Sequence, residues 1–250
     1  DFTNLPIHTI YFGGGTPSLL HPDQVAEVLE VCHTMYDVHP RTEITREANP
    51  GTISKDTLHQ LRLSSVNRLS LGVQSSNPDH LRRFARGHTI EDAQQAFAMA
   101  REAGFSNINV DLIFGIPTQT LVEWEETLSS VMSWQPDHIS LYSLMIEVGT
   151  PLAQQVDLGS VAVPDPDLAA DMYEFACGYL RALGYSHYEI SNWAIPSSEC
   201  QHNLQYWLNR PYFGFGAGAH GCAKNTRYWN VNPIPAYLQR MAQPARLQFP

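Results

Sequence analysis

Five strand-like segments, evenly spaced along the first part of this chain, constrain its fold more than any other feature. They read IHTIYF from Ile7, TEITRE from Thr42, RLSLGV from Arg68, NINVDLIF from Asn107 and HISLYSLM from His138. Their starts lie 26 to 39 residues apart, which is the length of one βαβ unit. The spacing predicts an α/β fold with a parallel sheet and right-handed crossovers. An open doubly wound sheet and part of a barrel are both compatible with it.

Helical periodicity fills the intervals between the strands. Apolar residues recur at helical spacing from Val25 to Met35, behind Pro22. Thr89-x-x-Asp92 and Thr120-x-x-Glu123 have the form of capping boxes, so each pair predicts the start of a helix.

The alternation of strands and helices stops after Pro151. A linker there leads into one long amphipathic segment that ends at Gly184, followed by stretches rich in aromatic residues, glycine and histidine. We predict strands and tight loops in this part, which forms an α+β extension. Residues 1–150 and 151–250 are therefore expected to be two regions.

The expected strand ends carry chemistry that plain loops do not need. Ligands of parallel α/β folds bind beyond the carboxyl ends of the strands. In NVDLIF, Asp111 alternates with Val110 and Leu112, so its side chain is expected to face the opposite side of the sheet, toward the centre of a barrel. A lone carboxylate there is costly unless a ligand or a neighbour donates hydrogen bonds to it. A structural arginine is the alternative partner.

Two glycine motifs in the sequence partly resemble nucleotide-binding patterns. Gly13-Gly14-Gly15-Thr16-Pro17 follows a strand, but it lacks the third glycine of a dinucleotide fingerprint and the lysine of a P-loop. Gly216–Gly221 does spell G-x-G-x-x-G, yet the stretch behind it is not helical and no acidic residue follows at the required distance. We interpret the second motif as a tight turn.

Composition excludes several classes of protein. A formal net charge of −10 argues against a surface that coats nucleic acid. No uninterrupted apolar stretch is long enough for a membrane span, and DFTNLPIHTI has no basic region and apolar core of a secretory signal. The absence of an initiator methionine leads us to expect a fragment. The four cysteines have no C-x2-C or C-x3-C spacing, and a reducing, cytoplasmic compartment is the default expectation.

Several motifs in one order carry a specific resemblance. FGGGTPS, EANPGT, RLSLGVQS, NVDLIFGIP and QPDHISLYSLMIEVGTP resemble the radical S-adenosylmethionine (SAM) proteins of the oxygen-independent coproporphyrinogen III oxidase family. The downstream YEISNWA, CQHNLQYW and YFGFGAGAHG are similar to the HemW heme-chaperone branch of that family. The resemblance implies a TIM-like (β/α)6 barrel that here lacks its first βα unit, followed by the C-terminal region of that branch.

The resemblance also implies a role for each strand end. Gly14, Gly15 and Thr16 match the stretch that lines the methionine moiety of SAM, and Glu47 and Gln74 match polar contacts to its amino-acid and ribose parts.

Three further positions follow from the same resemblance. Arg86 matches an arginine that pairs the SAM carboxylate, a task that suits the planar guanidinium. Asp111 matches an acid that accepts the ribose hydroxyls, and Met145 stands where the family has a small or apolar residue near the adenine. An ordinary surface cation is the alternative for Arg86.

One departure from the family pattern is serious. Family members hold a [4Fe–4S] cluster with a C-x3-C-x2-C loop after their first strand, and this chain contains no such motif. Cys32, Cys177, Cys200 and Cys222 are not substitutes because their spacing is wrong. We therefore expect that this polypeptide assembles no cluster and is inactive by itself as a radical enzyme.

Heme is the second ligand that the resemblance implies. His202 in CQHNLQYW is the candidate ligand, with His220 and Cys200 as weaker ones. The preferred hypothesis is a chaperone that binds heme and delivers it to client proteins. Oxidative decarboxylation of coproporphyrinogen III is the alternative, and a cluster-free scaffold is the third possibility.

Overall fold

The computed structural model describes residues 5–242, which divide into two compact units. The first unit ends at Cys200 and the second begins at Gln201. The residue range of the first unit contains all five predicted strands.

The first unit alternates strands and helices as predicted. Its described strands are β1 (Pro6–Phe12), β2 (Asp37–Ala48), β3 (Arg68–Gln74), β4 (Asn107–Phe114), β5 (His138–Ser143), β6 (Ser186–Glu189) and β7 (Asn192–Ala194). Its described α-helices are α1 (Pro22–Met35), α2 (Lys55–Leu63), α3 (Pro78–Arg83), α4 (Ile90–Glu102), α5 (Leu121–Met132), α6 (Pro151–Asp157) and α7 (Pro166–Ala182). Two short 3-10 turns, Pro17–Leu19 and Pro50–Thr52, follow the first two strands.

The strands form one seven-stranded sheet in the order β1-β2-β3-β4-β5-β7-β6. The first five are parallel and lie side by side in chain order, whereas β7 pairs antiparallel with both β5 and β6. A doubly wound sheet reverses its strand order at a switch point, and this order does not reverse within the five parallel strands. Barrel topology is therefore the correct one of the two predicted alternatives.

Local sequence signals set the helix starts. Thr89 and Asp92 form the predicted capping box of α4, and Thr120 and Glu123 form that of α5. In each box the threonine side chain accepts from a backbone N–H of the first turn, and the acidic side chain accepts from the threonine backbone N–H. These two predictions are confirmed.

The hydrophobic core lies on one face of the sheet, between the strands and the helices that connect them. Trp124 of α5 and Met172 of α7 belong to it, and the Trp124 indole N–H donates to the Met172 carbonyl at 2.9 Å. Buried residues of α1, α2 and α4 join the same core through side chains such as Val25, Leu58 and Phe97.

The expected boundary at residue 150 differs from the division that the structure shows after Cys200. Strands β6 and β7 extend the sheet beyond β5, and Met172, Ala176, Leu180 and Trp193 are buried in the core of the first unit. Residues 151–200 therefore belong to the barrel unit because they complete its sheet and cover its core.

The second unit contains α8 (Gln201–Trp207), the antiparallel pair β8 (His220–Ala223) and β9 (Thr226–Trp229), and α9 (Ile234–Met241). Within residues 5–242, no helix combines the length and the apolar character that crossing a membrane requires.

Candidate functional site

A cavity of about 460 Å³ opens at the carboxyl ends of the parallel strands. This volume lies in the range of pockets that bind small molecules and cofactors. Most of its lining is polar, and every parallel strand or the loop behind it contributes to it. The lining residues are Tyr11, Gly15, Thr16, Pro17, Ser18, Glu47, Ala48, Asn49, Ser70, Gly72, Gln74, Arg86, Asp111, Ile113 and Tyr142.

The loop after β1 forms one wall of this cavity through Gly15, Thr16, Pro17 and Ser18. Gly14 and Gly15 have φ angles of 79° and 59°, a left-handed conformation that side chains other than glycine adopt at a cost. The backbone N–H of Gly14 donates to Glu47 Oε2 at 3.1 Å. The left-handed conformation of Gly14 and Gly15 thus accompanies a turn that brings bare backbone to a carboxylate.

Glu47 connects this loop to the floor of the cavity. Its Oε1 accepts a hydrogen bond from the Tyr11 hydroxyl at 2.9 Å. Burial raises the pKa of Glu47, and the nearby charge of Asp111 adds to the increase, while the bonds from Tyr11 and Gly14 oppose it. Burial, followed by the charge of Glu47, also raises the pKa of Tyr11. The phenol therefore remains a neutral donor to the carboxylate.

Asp111 lies on the strand next to β3, with donors on both of its oxygens. The Ser70 hydroxyl donates to Oδ2 and the Asn109 amide to Oδ1, each at 2.8 Å. Burial raises the pKa of Asp111, and hydrogen bonds from these neighbours and the charge of Arg68 lower it in part. Neighbouring hydroxyl and amide groups thus donate to Asp111, which is one of the partners expected from the sequence beside a ligand or a structural arginine.

Gln74 reaches the cavity through an irregularity in β3. The pairing register with β4 shifts between Gly72 and Gln74, and Gln74 has a φ angle of 71°. Positive φ is uncommon for residues other than glycine, and such strain concentrates at functional sites. A Cβ on Gly72 would lie 2.9 Å from Gln74 Nε2, so a larger residue there would displace the end of the Gln74 side chain from this position.

Arg86 closes another side of the cavity. Its Nη1 donates to Asn49 Oδ1 at 2.7 Å. Burial lowers the pKa of Arg86 from its ordinary high value, and the charge of Asp111 opposes this effect. An arginine with such a high ordinary pKa remains a cation at neutral pH. The cavity therefore combines one guanidinium with two carboxylates, those of Glu47 and Asp111.

The loop that carries Thr16 is held in place by its neighbours. Arg46 is fully buried, and its Nη2 donates to the carbonyls of Pro17 and Leu20 at 3.0 and 2.6 Å. The hydroxyls of Ser18 and Thr52 lie 2.5 Å apart, which joins this loop to the one after β2. Sequence analysis did not identify Arg46, because a lone arginine in a strand carries no distinguishing pattern.

The cavity unites most of the predicted residues and leaves two of them elsewhere. The predicted residues that line it are Gly15, Thr16, Glu47, Gln74, Arg86 and Asp111. Gly14 does not line it, but its backbone N–H donates to the carboxylate of Glu47, which does. Met145 does not line it and is 75% exposed. His202 lies on α8 of the second unit, with its Nε2 2.8 Å from the Tyr206 hydroxyl.

Sequence analysis missed Tyr11, Asn49 and Tyr142 among the lining residues. Alternation along the strand was the available signal for two of them. Tyr11 lies two residues before Gly13 and Tyr142 two residues after Ser140, so each is expected on the same side of its strand as that residue. Asn49 comes directly after β2, and its position at the end of that strand was the only signal in the sequence that could have identified it.

The donor set fits SAM, and it does not fit an iron–sulfur cluster. Carboxylates, a guanidinium and bare backbone suit a ligand with an amino acid and ribose hydroxyls. A [4Fe–4S] cluster needs cysteine thiolates, whereas Cys32 lies on α1, Cys177 on α7, Cys222 on β8, and Cys200 just before α8. Across residues 5–242, no group of three or more His, Cys, Asp or Glu side chains is arranged to hold a metal ion.

Comparison with known proteins identifies the family of this chain. The profile of the Radical SAM superfamily matches residues 1–131. The heme chaperone HemW of Bacillus subtilis is 39% identical over 95% of this chain and 63% of its own length. HemW of Lactococcus lactis is 39% identical over 93% of this chain and 62% of its own. The chain thus spans about 60% of these curated relatives.

A solved structure gives the same result for the fold. Coproporphyrinogen III oxidase (HemN) from Escherichia coli, a radical SAM enzyme, superposes with a TM-score of 0.81 at 25% identity, over 94% of this chain and 57% of that one. The predicted family resemblance and the predicted partial TIM-like barrel fold are confirmed.

Proposed function

The chain belongs to the radical SAM superfamily, and from this premise we propose that it is the SAM-binding part of a heme chaperone. The polar cavity at the strand ends carries the proposal, because it brings together six of the residues that the family pattern assigns to SAM. The identity of about 39% to HemW proteins supports the chaperone rather than another member of the superfamily.

We propose that Gly14, Gly15 and Thr16, in the loop after β1, hold the methionine part of SAM. Gly14, Gly15 and Thr16 offer backbone without bulky side chains at this point. Glu47 and Gln74 would contact the amino-acid and ribose parts, and the bonds from Tyr11 and Gly14 orient the Glu47 carboxylate.

Opposite charges would orient the two ends of the ligand. The Arg86 guanidinium would pair the SAM carboxylate, supported by its place in the lining and its bond to Asn49. The Asp111 carboxylate would accept the ribose hydroxyls. The proposed adenine contact of Met145 has the weakest support, since this side chain lies outside the cavity lining.

Superfamily membership implies both SAM and a [4Fe–4S] cluster. When bound, SAM supplies the adenosyl group for radical chemistry. The residues that line the cavity would bind SAM and orient it. Because the four cysteines do not fit a cluster, we propose that these 250 residues alone generate no radical.

We propose His202 as the heme ligand. Its imidazole stands 5.1 Å from the Tyr206 ring, which in turn stands 4.7 Å from the Tyr212 ring. Tyr206 and Trp207 are 42% and 50% exposed, so the same short helix presents aromatic faces that can stack on a porphyrin. Imidazole is a common iron ligand.

Titration of hemin into the purified chain tests this assignment. We expect a Soret shift in the wild type and its loss or weakening in His202→Ala. His220→Ala is the matched control, because His220 lies in the same unit beside Trp229, and it should keep the shift. No shift in the wild type, or equal shifts in wild type and His202→Ala, would overturn the assignment.

The fold match to HemN supports a second candidate function, oxidation of coproporphyrinogen III. An oxidase site must recognise the propionates of its substrate, whereas a heme chaperone must recognise the iron-bound porphyrin. Calorimetry with coproporphyrin III and with hemin separates the two. Tighter binding of coproporphyrin III would favour the oxidase.

The proposed partners are heme and heme-requiring client proteins, with no role for nucleic acid. We place the function in the cytoplasm, because all four cysteines are thiols in the described part of the chain, as is typical of reducing compartments.

A further inference from the structure

A chain of polar residues, two of them buried, runs across the inner face of the sheet and ends at Asp111. His138 of β5 is 1% exposed, and its Nδ1 lies 2.6 Å from Asn109 Oδ1. Its Nε2 lies 2.7 Å from the hydroxyl of Tyr188 on β6. Asn109, which is 2% exposed, donates from Nδ2 to Asp111 Oδ1 at 2.8 Å. These contacts connect the edge strand of the sheet to the cavity.

The chemistry of the end group sets the direction of every bond. An ionised Asp111 only accepts hydrogen bonds, so the atom of Asn109 that faces it must be the Nδ2 amide nitrogen. Asn109 Oδ1 must then face the other way, where it accepts from His138 Nδ1 and from the Ser140 hydroxyl at 3.1 Å. His138 therefore carries a proton on Nδ1.

The charge state of the histidine extends this direction to the tyrosine. Burial lowers the pKa of His138 well below its ordinary value, and the charge of Arg68 on β3, two strands away in the sheet, adds to the effect. A neutral ring with its proton on Nδ1 has an acceptor at Nε2. The Tyr188 hydroxyl must donate to it, so the donors of all three residues point toward Asp111.

Asp111 keeps acceptor capacity for the cavity that it lines. An ionised carboxylate accepts about four hydrogen bonds. It accepts hydrogen bonds from the Ser70 hydroxyl and the Asn109 amide, which leaves room for a hydroxyl of a ligand. Because its protein partners are all donors, the carboxylate stays an oriented acceptor.

We propose that Tyr188, His138 and Asn109 are positioning residues that hold Asp111 ready to accept hydrogen bonds from the ribose hydroxyls of SAM. This inference rests on the proposed function for the identity of the ligand. The direction of the hydrogen bonds does not depend on the ligand.

Nitrogen NMR of the histidine ring tests the direction of the chain in the ligand-free protein. We expect neutral His138 with its proton on Nδ1 in the wild type. In Tyr188→Phe the Nε2 resonance should move toward the value of a nitrogen without a hydrogen bond. Tyr173→Phe is the matched control, because its hydroxyl lies near another histidine, His187, outside the cavity. A proton on Nε2 in the wild type would overturn the proposal.

Calorimetry with S-adenosylhomocysteine and with its 2′,3′-dideoxy analogue tests the role of the hydroxyls. We expect Tyr188→Phe to bind S-adenosylhomocysteine about threefold more weakly than the wild type does, a modest share of the free energy of one hydrogen bond. The dideoxy analogue should bind equally well to both proteins. An equal loss for both ligands, or no loss for either, would contradict positioning. If the wild type binds neither ligand, the SAM assignment fails, and the NMR result still decides the direction of the hydrogen bonds.

Discussion

The two faces of the five parallel strands carry opposite chemistry. Toward the helices, β3, β4 and β5 present fully or almost fully buried apolar residues such as Leu71, Leu112 and Ile139. On the other face the same strands present Ser70, Asp111 and other polar side chains, which bond to one another across strands. Barrels usually fill their interior with branched apolar residues. Here the apolar packing is on the outer face, and the polar inner face lines the cavity for which we propose SAM binding.

Arg46 is the exception that supports this division. It lies on the same apolar face of β2 as Ile44 and Ala48, and it is a fully buried cation there. Its Nη2 donates to the two carbonyls of the loop after β1. A cation on the packed face therefore serves the cavity indirectly, through the loop that carries Thr16.

Truncation of the outer face is expected to have the largest effect on stability. Leu112→Ala removes a side chain with no exposed surface and should lower the free energy of unfolding by about 2 to 5 kcal/mol. Urea unfolding measures this loss. The control is Leu63→Ala, whose side chain is 74% exposed and whose loss should cost less than about 0.5 kcal/mol. Similar losses in both variants would contradict an apolar outer core.

Neutralising the inner face should change binding more than stability. Asp111→Asn removes the charged acceptor, so the affinity for S-adenosylhomocysteine should fall about tenfold to a hundredfold. Its free energy of unfolding should change less than that of Leu112→Ala, since a buried carboxylate is costly. Calorimetry and urea unfolding check the two parts, with Asp56→Asn on α2 as the control. Unchanged affinity would remove Asp111 from the site.

The stability of the inner face should also depend on pH in a defined direction. Burial raises the pKa of Asp111 in the folded chain. At pH values just above the ordinary carboxyl pKa, the folded state therefore keeps the proton on Asp111, whereas the unfolded state has lost it. Stability of the wild type relative to Asp111→Asn should therefore fall as pH rises from about 4 through the raised pKa. Urea unfolding of both proteins across this range measures the difference, and a rise instead of a fall would refute the burial argument.

The smallest effect is expected at Met145. Its side chain is 75% exposed and outside the cavity lining, so Met145→Ala should change the affinity for S-adenosylhomocysteine by less than about twofold. Calorimetry checks this directly. A clear loss of affinity would instead support the adenine contact that the family pattern assigns to this position.

Alternation along single strands made much of the site predictable. The opposite orientation of Asp111 with respect to Val110 and Leu112 could be read from the sequence, and Asp111 does line the cavity. Tyr11 was not predicted, because its importance depends on Glu47, its partner 36 residues away. The irregularity that directs Gln74 into the cavity was equally invisible, since it arises from the register between β3 and β4.

The sequence alone determined the number and order of the parallel strands, the starts of α1, α4 and α5, and the side of β4 on which Asp111 lies. These properties follow from local periodicity and capping. Only the tertiary structure decided the boundary after Cys200 and the partners of each polar side chain. The physical reason is that Asp111 meets Ser70, 41 residues away, only after strand pairing places them side by side, and pairing registers leave no mark in either segment by itself.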